Sequence, residues 1–115
     1  MQVQISNKKL KRAIEDDAER SKRFGVEMAK KIQLRMGALV AAESLAVFWP
    51  PKSGPERCHE LKGSLTGTFS MDLKHPYRLL FWPVDAPNDT GVENEKERWE
   101  AINVIEIISI EDTHG

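Results

Sequence analysis

Ala101-Ile102-Asn103-Val104-Ile105-Glu106-Ile107-Ile108-Ser109-Ile110, near the end of a 115-residue chain, is its longest run of strand-forming residues. Branched side chains fit a pleated, half-buried surface, so a segment this apolar predicts a central strand. Further back, Tyr77-Arg78-Leu79-Leu80-Phe81-Trp82 has the same character, and Thr68-Phe69-Ser70-Met71-Asp72-Leu73 alternates between apolar and polar, the period of a strand with one buried face. Lys74-His75-Pro76 supplies a tight connection between these two. A shorter His59-Glu60-Leu61 precedes them, followed by a turn at Lys62-Gly63-Ser64.

The first half of the chain is of another kind. Met1-Gln2-Val3-Gln4-Ile5 alternates as a strand does, and Ser6 or Asn7 can cap a following helix by accepting a first-turn amide hydrogen bond. Leu10, Ala13, Ile14 and Ala18 share one helical face. The charges from Asp16 to Arg23 read as solvated surface, and Gly25 suits a break between two helices. A second helix carries Phe24, Met28, Ile32, Arg35/Met36, Leu39 and Ala42 on one side, and Trp49-Pro50-Pro51 stops it. The expected fold class is therefore α+β: an N-terminal strand, a two-helix hairpin, then an antiparallel sheet of three to four strands. Residues 85–100, polar and acidic with Pro87, Asn88 and Gly91, read as a mobile loop.

The length suits one domain over residues 1–115, with no internal repeat. No run of about 18 apolar residues is present and the start has no signal-peptide pattern, so a soluble, cytoplasmic protein without a membrane partner is expected. Cys58 is the single cysteine; it cannot form an internal disulfide, and no Cys/His cluster predicts a metal. Net charge is −1, but residues 1–84 carry fifteen Lys or Arg against nine Asp or Glu, while residues 85–115 carry two against nine. A basic body can present a positive face to phosphate, because charge acts locally over about 8–10 Å. The competing reading is ordinary solvated charge.

His59-Glu60-Leu61-Lys62-Gly63, Gly67-Thr68-Phe69-Ser70-Met71-Asp72-Leu73, His75-Pro76-Tyr77-Arg78-Leu79-Leu80-Phe81 and the terminal Ile110-Glu111-Asp112-Thr113-His114-Gly115 together resemble a HigB-like toxin of the RelE/ParE superfamily, over nearly the whole chain. The resemblance implies a RelE-like fold and a type II toxin-antitoxin system with a helix-turn-helix antitoxin as partner. Contact with operator DNA would then come only through that antitoxin. It also implies an mRNA interferase, an RNA-binding endoribonuclease working on the ribosome. The ribose 2′-hydroxyl attacks the adjacent phosphate, without metal or cofactor. Such chemistry asks for a base, cations to neutralise the phosphate, and an acid for the leaving oxygen.

The catalytic set that the resemblance implies is His59, Lys62, Arg78, Asp112 and His114. His59 is an acid or base candidate, or a polar residue at a strand start. Lys62 and Arg78 are phosphate clamps; for Arg78 an ion pair with Asp72 or Glu106 is the competing role. His59 and His114 would share acid–base work, with Asp112 orienting or polarising a histidine. The family has a tyrosine between the last two, where this chain has Thr113. Threonine offers neither a ring nor an ionisable hydroxyl, so weakened activity is expected. Trp49, Trp82 and Trp99 read as core or interface anchors, Cys58 as inert packing, and His75 as a turn residue. Two other functions stay open: a ParE-like poison of DNA gyrase, and a catalytically weakened toxin kept as an antitoxin-binding co-repressor.

Overall fold

The structure, a computed structural model, describes residues 1–84 and 94–112. Strands β1 (Gln2–Gln4), β2 (His59–Glu60), β3 (Phe69–Asp72), β4 (Tyr77–Pro83) and β5 (Val104–Asp112) form one sheet in the order β1-β5-β4-β3-β2. The pairs β2–β3, β3–β4 and β4–β5 are antiparallel, as expected. The N-terminal strand does not stand apart: β1 runs parallel to β5, so the sheet is mixed and five-stranded. The α+β expectation holds, and β5 is interior as its composition predicts.

Helices α1 (Lys8–Glu15), α2 (Asp17–Phe24) and α3 (Val26–Ala41) replace the expected hairpin of two. Asp16 makes the extra break. Its backbone is extended and its amide closes α1 on the Arg12 carbonyl, while its side chain accepts the Glu19 amide at 2.9 Å and starts α2. Asn7 caps α1 in the same way, and Gly25, at φ +81, separates α2 from α3. The third helix ends at Ala41, before the Trp49-Pro50-Pro51 stop, and a 3-10 turn at Leu45–Phe48 follows.

The charged run after Asp16 is not all solvated. Arg20 is buried, donating to the Ile14 carbonyl at 2.7 Å and pairing with Asp17. The loop expected over residues 85–100 is also corrected in part. Residues 85–93 lie outside the described residues, but Glu95–Glu100 is a helix, α4, capped by Asn94 and anchored by the buried Trp99.

One core holds the layers together. Ile14, Met28, Ile32 and Leu39 from the helices meet Phe69, Met71, Leu79, Phe81, Ile105 and Ile107 from the sheet. Trp99 closes the end near β2, with its ring edge-on to Trp49 at 5.1 Å and to Phe69 at 5.5 Å. Burying a side chain of this class contributes about 1.5–3 kcal/mol, so the helical layer fixes one face of the sheet. In β5 the register shifts opposite Leu80/Phe81, leaving Ile108 as the extra residue. That bulge moves the inward phase from Ile105 and Ile107 to Ile110, which packs against the core. Among the described residues no helix is long and apolar enough to cross a membrane.

Candidate functional site

Alternation along the strands decides what the second face of the sheet carries. With Phe69, Met71, Leu79 and Phe81 turned to the core, Ser70, Asp72, Arg78, Leu80 and Trp82 turn the other way. Register extends these into rows: His59, Ser70, Leu80 and Ser109 lie across the sheet, and Asp72, Arg78 and Glu111 form the next row. His59 and Arg78 therefore share a face, two strands and one row apart, about 12 Å between Cα atoms at ordinary strand spacing. Between them on that face lie Ser70 and Leu80, both buried.

The His59 ring is fixed by its Nδ1, which lies 2.9 Å from the Arg57 carbonyl oxygen. A carbonyl only accepts, so Nδ1 carries the proton and neutral His59 keeps its lone pair on Nε2. Such a ring can take a proton. A cleft of about 530 Å³ brings His59 together with Lys62, along with Lys52, Glu60 and Glu95. Glu60 is engaged there by Arg98 and by the Gly67 amide at 3.0 Å.

Arg78 belongs to a separate cleft of about 230 Å³ with Arg57, Asp72, His75 and Tyr77. Its Nε lies 3.4 Å from Asp72 Oδ1, and Arg57 Nε lies 3.4 Å from Asp72 Oδ2. The ion pair with Asp72 is thus present; Glu106, the other partner considered, faces Trp82 in register and accepts from Ser6 Oγ at 3.0 Å. His75 keeps its expected place, in the connection between β3 and β4 that includes a cis His75–Pro76 bond.

Asp112 lies at the end of β5, opposite Tyr77. It is one position past Glu111, so it faces the side away from Arg78, and Glu111 completes the arginine's row. His114 lies outside the described residues. Three of the five expected residues thus line clefts, His59 and Lys62 one and Arg78 another, and Asp112 lines neither. Sequence reasoning passed over Arg57, which lies in a turn at φ 47 just before β2, where strand parity gives no signal. Asp72 was foreseen only as a competing ion-pair partner.

Cys58 is fully buried, and burial followed by the Glu56 charge pushes its thiol well above the ordinary range, in keeping with inert packing. Trp99 is a core residue and Trp49, partly buried, packs against the core. Trp82 does neither, and remains 45% exposed on the second face.

A five-stranded sheet of this order behind an N-terminal helical layer is the fold seen in solved structures of YoeB/ParE toxins. The solved structure described as "YoeB/ParE toxin from Agrobacterium tumefaciens" superposes with a TM-score of 0.55, at 16% identity, over 99% of this chain and 100% of that one. The Staphylococcus aureus YoeB dimer gives 0.51 at 22% identity, over 95% of this chain and 92% of that one. The YoeB–YefM complex from the same organism gives 0.53 at 22%, over 96% and 94%. No protein-family model matches the sequence, and no curated protein matches it. The likeness is one of fold.

Proposed function

We propose that this chain is the toxin of a type II toxin-antitoxin system and that it cuts translated mRNA on the ribosome. The observation that carries the reading is the toxin fold over essentially the full length of both chains, with His59 and Arg78 on one face of its sheet. The finer HigB-like assignment rests on the sequence motifs alone. In the proposed reaction His59 Nε2 accepts the 2′-hydroxyl proton as that oxygen attacks the adjacent phosphorus. Arg78 and Lys62 neutralise the charge that builds on the phosphate oxygens. His114 returns a proton to the departing 5′-oxygen, with Asp112 able to orient only that histidine and not His59, and Thr113 lowers the rate because it can neither stack nor ionise.

The partner proposed is an antitoxin, in line with the solved YoeB–YefM complex. The gyrase-poison reading keeps one specific support: the Arg78–Asp72 ion pair occupies the guanidinium that a nuclease needs for phosphate. Expression without an antitoxin separates the readings. Growth arrest with cut message is the expected result; arrest with intact message supports the gyrase target, and unimpeded growth the co-repressor.

A further inference from the structure

The Asp72 carboxylate stands between two guanidiniums, one on each oxygen, in a cleft large enough for a phosphate group. Both contacts are 3.4 Å. A firm charge-assisted hydrogen bond is about 2.7–2.9 Å, so the carboxylate is held by charge and not by tight hydrogen bonds. Oδ1 is buried and accepts no hydrogen bond. A buried acceptor left without one is costly, so this carboxylate does not sit at an optimum.

The backbone around it is pinned. The Asp72 amide donates to the Glu56 carbonyl at 2.8 Å, and its carbonyl accepts from Arg35 Nε at 2.7 Å. Arg35 also donates to the Pro55 carbonyl at 3.1 Å, which ties the segment leading to Arg57 to the end of β3. What is left free to move is the carboxylate itself, by rotation of its own side chain. The backbones that carry the two guanidiniums are held apart from it: Arg78 is on an interior strand, and Arg57 follows directly on the fixed segment.

We propose that Arg57 and Arg78 form a two-guanidinium clamp for a phosphodiester of single-stranded RNA, and that Asp72 is a built-in anion that holds the clamp until substrate phosphate displaces it. The choice of RNA rests on the function proposed above; the clamp rests on geometry. Two flat guanidiniums facing one anion match the oxygens of a phosphate as they match a carboxylate. The remaining acid of the row, Glu111, accepts from Ser109 Oγ at 2.5 Å. Arg57 is thereby a substrate-binding residue, and Asp72 sets the threshold for binding.

The test is binding of a short single-stranded RNA, measured by fluorescence anisotropy at low salt, which needs no cleavage. Asp72→Asn keeps the shape and removes the charge; it is expected to tighten binding about tenfold, the equivalent of about 1.4 kcal/mol. Adding Arg57→Gln to that variant is expected to cancel the gain. Unchanged or weaker binding by a folded Asp72→Asn protein overturns the proposal, since Asp72 would then only position the arginines. Should that variant not fold, the Nε–H resonances of Arg57 and Arg78 in the unaltered protein decide: both shift on RNA addition if the clamp exists, and a stationary Arg57 signal overturns it. Tightened binding without message cleavage in cells would leave the clamp standing and remove the nuclease reading alone.

Discussion

Arg35, in the middle of α3, donates from Nε to the carbonyl oxygen of Asp72 at 2.7 Å. Helix and sheet are joined there by a buried cation that donates to two backbone carbonyls, those of Asp72 and Pro55. The bond places the last residue of β3, and with it the side chain that faces Arg57 and Arg78.

Arg35→Met keeps the apolar stem but leaves two carbonyls without their donor. An orphaned buried acceptor costs about 1–3 kcal/mol. The variant is expected to lose about 2–4 kcal/mol in urea unfolding; a loss under 0.5 kcal/mol would show that water replaces the guanidinium without penalty.

Asp16 serves two helices at once, closing α1 and opening α2. Asp16→Ala removes the side-chain acceptor for the Glu19 amide and is expected to cost about 1 kcal/mol, seen as a melting point lower by a few degrees. Asp16→Asn, which keeps an acceptor oxygen, should recover most of it.

Cys58 is expected to ignore iodoacetamide at pH 8 in the native protein and to react at once in denaturant. Its folded pKa is raised, so the native thiol holds its proton while the unfolded one loses it above about pH 8.5. The corresponding stability is complete below that pH and falls as pH rises, by up to about 1.4 kcal/mol per unit. Comparing Cys58→Ala with the parent between pH 7 and 10 isolates this slope; identical slopes would contradict the burial.

The tryptophans divide by face. Trp99→Ala should remove about 3–5 kcal/mol, since the indole is fully buried against Trp49 and Phe69. Trp82→Ala should change stability by less than about 0.5 kcal/mol, because that ring stands half in water.

The sheet was legible because burial on one face writes a period of two into Phe69, Met71, Leu79 and Phe81. The bulge is also written there: the apolar phase of Ile105 and Ile107 changes to Ile110 across Ile108. What β1 pairs with was not legible, since alternation in three residues names no partner, and its union with β5 joins opposite ends of the chain. The division at Asp16 was hidden by the charges around it, which read as one solvated helix surface. Buried Arg35 runs against composition because backbone carbonyls, invisible in a pattern of side chains, accept from it, and buried Arg20 is held by the Ile14 carbonyl together with Asp17. Of the site, the shared face of His59 and Arg78 follows from strand parity. The Arg57–Asp72–Arg78 cluster does not, because Arg57 reaches it from a loop.

The central claim is ribosome-dependent cutting of message. Mapping of mRNA 5′-ends after brief induction, with a His59→Gln, His114→Gln double variant in parallel, tests it most directly. New ends inside translated frames that disappear in the variant are the predicted result; no new ends, or ends that persist in the variant, would contradict it.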